Sequence, residues 1–155
     1  MARFSKTNTR RIGAGMLVAA GAAAVAIGAA PTASAAPSEG LQLCPALPGQ
    51  MVTKATCEAK SGPTGLALAV TSGGGKATSM ADNYSGPAAI ALGNGAVVTM
   101  NGVKPGLAIG IAGADSTVTV DGKKGPVCTG KFAFSGDFQT LKGCYASNGQ
   151  VIPLG

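Results

Sequence analysis

The side chains able to do chemistry in this chain are few, and the most versatile is missing. None of the 155 residues is histidine, which removes the usual general base at neutral pH and the commonest metal ligand. Ser-His-Asp and Cys-His machinery is therefore ruled out. Six carboxylates remain, Glu39, Glu58, Asp82, Asp115, Asp121 and Asp137. A pair of them could in principle flank a glycosidic bond as acid and nucleophile, with Asp115 and Asp121 as the pair to test. However, Asp82, Asp115, Asp121 and Asp137 all stand beside Gly, Asn, Ser or Ala in turn-like contexts, where a short carboxylate bonds to its own backbone. Calcium binding in a β-roll needs a repeated G-G-x-G-x-D nonapeptide, whereas Gly73-Gly74-Gly75 is followed by Lys76. The expectation is no metal site, no cofactor and no enzyme.

The four cysteines, Cys44, Cys57, Cys128 and Cys144, form no C-x-x-C. An even number in a short exported chain reads as two disulfides. Four cysteines permit three pairings, and sequence does not choose among them. The sequential pairing, Cys44 with Cys57 and Cys128 with Cys144, is favoured because each pair then brackets one end of the repetitive region described below.

Export is inferred from the beginning of the chain. Residues 1–11 carry Arg3, Lys6, Arg10 and Arg11 without an acid, residues 12–30 are an unbroken small and apolar run, and Ala33-Ser34-Ala35 is an A-x-A cleavage site. This is the three-part layout of a secretory signal. Cleavage after Ala35 would leave no membrane span and a protein outside the cell or in its envelope. It would also leave eight lysines against six acids, a net charge of +2 in place of the +6 of the whole chain. The lysines are scattered apart from Lys123-Lys124, no arginine remains, and there is no tryptophan. A clustered basic footprint with stacking aromatics is thus lacking, and nucleic acid is not an expected partner.

What must position these residues is a motif written four times between Gly65 and Gly143. The copies open with Gly at 65, 86, 106 and 125, intervals of 21, 20 and 19. Each is a short apolar run, a Gly-rich turn, a second short run and another turn, within the range of repeat architectures. The period inside the runs is two, as in Leu66-Ala67-Leu68-Ala69-Val70 and Leu107-Ala108-Ile109-Gly110-Ile111, which is the period of a strand. An all-β fold follows. The favoured form is a β-solenoid or β-roll of about four coils capped by two disulfides. The alternative is an antiparallel β-sandwich or small barrel built from hairpins. Residues 36–62 read as an irregular N-terminal segment with one short strand at 51–57 and a turn after it, and residues 63–155 as the repetitive domain.

Alternation alone suggests that the bulky members, such as Leu66, Leu68, Ile90 and Ile109, face the core. The small ones, Ala67, Ala69, Ala89, Ala91, Ala108 and Gly110, would then make an exposed apolar stripe. Such a stripe is either an interface or packed under residues 36–62. On the interface reading, replacing Ala91 and Ala108 by Lys should leave folding intact and abolish association.

With its signal-like N-terminus, the AIALGNGAVVTMNG and LAIGIAGADSTVTVDG segments and the flanking cysteines, the chain resembles small exported proteins of actinobacteria that carry domains of unknown function. The Ala89 to Gly93 and Leu107 to Gly113 segments are also similar to head repeats of trimeric autotransporter adhesins. The first resemblance implies location and the second implies adhesion. The expectation is a secreted or envelope-associated, non-catalytic structural or adhesion-like protein. Its partner would be a protein or an envelope surface, self-association included. The alternative is a hydrolase of cell-wall polysaccharide working through turn carboxylates.

Overall fold

The computed structural model describes residues 40–155. The signal-like segment, with Ala33, Ser34 and Ala35, lies outside the described residues. The described chain is all-β, with thirteen strands in two sheets. The seven-stranded sheet runs β1 (Gln42–Ala46), β4 (Ala67–Ser72), β6 (Ser85–Leu92), β8 (Gly106–Ala112), β11 (Phe132–Asp137), β12 (Lys142–Ser147), β13 (Gln150–Leu154). The six-stranded sheet runs β10 (Val127–Gly130), β9 (Ser116–Val120), β7 (Val97–Gly102), β5 (Lys76–Ala81), β3 (Cys57–Ser61), β2 (Met51–Thr53).

The middle of each sheet is parallel. β4, β6 and β8 stack in parallel in one sheet, and β3, β5, β7 and β9 in the other. From β3 to β9 successive strands alternate between the sheets, which makes a β-solenoid of about three turns. Register confirms the repeat: Ala69 lies beside Ala89 and Ala89 beside Gly110, while Val97 lies beside Thr117.

Both ends depart from the coil. β1 and β2 add antiparallel to β4 and β3, and β10, β11, β12 and β13 are all paired antiparallel. The fourth sequence copy therefore reverses direction and closes the stack where a fourth coil would have continued it. The N-terminal part is also more regular than its composition suggests. Residues 42–46 form β1, and β3 covers residues 57–61, most of which fall in the turn expected after residue 57. Their small residues Cys44, Ala46, Cys57, Ala59 and Ser61 are buried at alternate positions against the first coil. The disulfides are Cys44–Cys57 and Cys128–Cys144. Each ties a strand of one sheet to a strand of the other, β1 to β3 and β12 to β10, so each pins one end of the two-layer core.

The corners are held by backbone hydrogen bonds that climb the stack. Gly93 N–H donates to the Ser72 carbonyl (2.8 Å), Asp115 N–H to that of Asn94 (3.0 Å), and on the opposite edge Gly62 N–H to Ala81 (2.7 Å) and Asp82 N–H to Gly102 (2.9 Å). Gly93 has a φ of +97°, and a Cβ there would sit 3.1 Å from that of Ala114 in the next coil. Only glycine meets both conditions.

The core reverses the expected orientation. Ala69, Ala89 and Ala91 are 0% exposed and Ala67 and Ala108 are also buried, whereas Leu66 is 55% and Leu107 66% exposed. The six-stranded sheet supplies the volume instead, through Val98, Met100, Val118 and Val120. The reason is thickness. Corners of three or four residues hold the sheets too close for two layers of large side chains, so large residues from one sheet meet Ala and Gly from the other. At Gly110 even a methyl is too much: a Cβ would lie 2.9 Å from Val118 Cγ1, 3.0 Å from Met100 Sδ and 3.1 Å from Val98 Cγ1. The small-residue stripe is thus an inner wall, packed on the facing sheet and not under residues 36–62. It is not an interface, and the expectation that Lys is tolerated at Ala91 and Ala108 is overturned.

Candidate interaction surface

The residues displaced from the core make the most prominent surface of the described chain. Because the strands alternate strictly, burying Ala and Gly turns every bulky neighbour on the seven-stranded sheet outward. Register then lines them up. Leu43, Val70, Ile90, Ile111, Phe134, Tyr145 and Ile152, one from each strand, form a continuous row across all seven strands. A second row, two residues along, holds Pro45, Leu68, Ala88, Ile109, Gly136, Gly143 and Leu154. Leu66, Leu107 and Phe138 continue the patch on one side, and Leu92 and Phe132 on the other. Phe132 packs edge-on to Tyr145 with ring centroids 6.1 Å apart. None of these strand positions carries a charge.

The surface has relief. Gly136 pairs with Gly143, and the missing side chains leave a depression of about 310 Å³ rimmed by Phe134, Phe138, Leu141 and Leu154. With strands about 4.8 Å apart and alternate side chains about 6.7 Å apart, the face measures roughly 34 by 20 Å, or about 700 Å². Contiguous apolar patches above a few hundred Å² mark interaction sites on monomeric proteins.

The opposite face differs in kind. On the six-stranded sheet Thr53, Glu58, Thr78, Thr99 and Thr119 stand in one row, with Lys60 beside Met80 and Asn101 in another. Hydroxyls and charges there are at home in water, and the exposed apolar residues of that sheet, Met51, Met80, Val97 and Val127, are interspersed among them.

The four aspartates fall in the corners or at the strand end that leads into one, as their contexts imply, while Glu58 stands within β3. Asp115 is in the turn before β9 and makes an ion pair with Lys131, 2.7 Å apart and exposed; that carboxylate raises the pKa of the Lys131 ammonium through a hydrogen bond and its charge. Asp121 follows β9 and accepts the backbone N–H of Lys124 (2.7 Å) and Lys123 (2.9 Å), which hold its carboxyl below the ordinary value. Asp137 is buried and accepts Gln139 N–H (2.9 Å) and the Thr140 hydroxyl (2.8 Å). β9 separates Asp115 from Asp121 by five strand residues, roughly 17 Å or more. Paired glycosidase carboxylates sit about 5–10 Å apart, so these two cannot flank one bond. Among the described residues no group of three or more Cys, Asp or Glu is placed to hold a metal ion.

The Leu, Ile and Phe face was missed in the sequence, although the period that creates it was plain. The signal that could have found it is volume: Val98, Met100, Val118 and Val120 already supply bulky inward residues for the second run of each copy. Comparison with protein-family models, with curated proteins and with solved structures gave no match.

Proposed function

We propose that this is an exported interaction protein, without catalytic work of its own, whose working surface is the outer face of the seven-stranded sheet. The observation that carries the reading is the row from Leu43 to Ile152: seven apolar side chains in register, free of charge, on a face the fold leaves uncovered among the described residues. Leaving so much apolar area in water costs solubility, and a surface of that kind is retained where a partner covers it. Two disulfides at the ends of the stack fit an oxidising compartment outside the cytosol, in keeping with the signal-like N-terminus.

The test compares the native protein with Leu107→Lys, a change at a position 66% exposed and hence tolerated by the fold. Sedimentation with isolated cell envelopes and light scattering after gel filtration should find the native protein on envelopes or in complexes, and the variant in neither. A variant that binds or assembles as the native protein does would refute the reading. So would a native monomer indifferent to envelopes.

A further inference from the structure

Resting on the interaction reading above, we propose that the occupant of this face is a second copy of the same chain, packed sheet against sheet about a two-fold axis running along β8. Three observations lead there. First, the edges of both sheets are blunted while the face is not. β1 and β13 carry Pro45 and Pro153, β2 is three residues long and β10 four, and proline and short strands are the devices that prevent edge-to-edge pairing. Association is steered away from the edges and onto the face.

Second, size and charge fit a self-complementary contact. Two faces of about 700 Å² each bury about 1,400 Å², inside the range of stable interfaces. In a two-fold contact a patch meets itself, so any charge near the axis would meet its own kind; the aligned rows carry none, and Lys142, which lines the depression, stands on β12, two strands away from the axis.

Third, register sets bulk over gap beside the main row, while within that row Val70 meets Tyr145 and Ile90 meets Phe134. β8 is the middle strand of the seven. Rotation about it sets β4 over β12 and β6 over β11, which places Leu68 opposite Gly143 and Phe138 opposite Gly86, while Leu107, Ile109 and Ile111 meet their own copies on the axis. The depression over Gly136 and Gly143 is then filled by Leu68 of the second copy. Sheets so stacked lie about 10 Å apart with their strands nearly aligned.

The experiment is sedimentation equilibrium of the full chain, produced with its own N-terminal segment and recovered with both disulfides formed, its mass checked by spectrometry. Interfaces of this area span micromolar to picomolar affinities, so a dimer is expected at about 10 µM. Leu107→Glu puts two like charges on the axis and should weaken dimerisation by at least about 100-fold, while Thr99→Glu on the opposite face should leave it unchanged. Circular dichroism confirms that each variant is folded, and Ile111→Glu repeats the test at a second axial position. A native monomer overturns the proposal. If that monomer sediments with envelopes or with phospholipid vesicles and Leu107→Glu does not, the face still binds but its occupant is not a second copy. A monomer whose mass includes residues 1–39 points to cover from within the chain, and likewise overturns it. A dimer indifferent to both axial charges removes the face as an interface altogether.

Discussion

Neighbouring residues on one strand offer the sharpest test of which face is inside. Ala89 and Ile90 are adjacent on β6, one fully buried and the other half-buried. Ordinary hydrophobic ranking says the isoleucine matters more; the packing says the reverse. Ala89→Lys drives an ammonium and four methylenes between two closely spaced sheets. Its desolvation costs several kcal/mol and the overpacking about 1–3 kcal/mol more. Against a total stability of about 5–15 kcal/mol for a domain, that removes most or all of the fold. Ile90→Lys gives up part of the roughly 1.5–3 kcal/mol of a fully buried side chain, and the lysine stem still covers its neighbours. A loss of about 1 kcal/mol is expected. Urea unfolding with disulfides intact, at concentrations low enough that association does not contribute, reads both. With a slope of about 1–3 kcal/mol per molar, Ile90→Lys should lower the midpoint by about 0.3–1 M, and Ala89→Lys should show no cooperative transition. Ala89→Val supplies a graded version and should lose about 1–3 kcal/mol despite being the more apolar residue. A native midpoint for Ala89→Lys, or equal damage from both lysines, would refute the reasoning.

Three further outcomes are expected. Each disulfide closes a loop of 13 or 16 residues and contributes about 3 kcal/mol, so replacing either pair by serine should lower stability by that amount in urea titrations, and full reduction should leave the fold marginal. Gly93→Ala introduces a side chain at φ +97° with a 3.1 Å approach to Ala114, and should cost more than about 1 kcal/mol in thermal unfolding. The depressed pKa of Asp121 contributes stability that is present above its unfolded value near 3.8 and lost as pH falls through the lower folded value. Asp121→Asn, which keeps the acceptor and removes the charge, should therefore melt slightly lower at neutral pH, by less than about 1 kcal/mol because solvent screens the carboxylate, and the gap should close below pH 3.8.

Period, turns and disulfides could be read from the chain because each is a local or counting property. The alternation in Leu66-Ala67-Leu68-Ala69-Val70 requires a strand, the Gly-Asn-Gly at 93–95 requires a corner, and cysteines at the two ends of a repeat pair across those ends. The side each row faces is not local. Period two says that leucines and alanines part company, and only the facing sheet decides which go in; here Met100 and Val118 had already filled the space over Gly110. The reversal of the fourth copy was hidden for a similar reason. Phe132 and Phe134 alternate with Ala133 just as Ile109 and Ile111 alternate with Gly110, and a strand reads alike whether it runs with its neighbour or against it. The third strand at 57–61 escaped because Cys57, Ala59 and Ser61 look polar or small in isolation yet complete the buried row of the first coil.

Closure by reversed strands at both ends has a consequence for how such a molecule can change size. Growth at a terminus is blocked, since the outermost strands no longer present a coil for another to follow. A duplicated block of about 20 residues inserted between β7 and β8 would meet neighbours identical to those it came from, and would lengthen the stack without disturbing either plug. Every block added would widen the greasy side by one strand, so breadth of grip could be adjusted in whole-number steps while the chemistry of the ends stayed as it is.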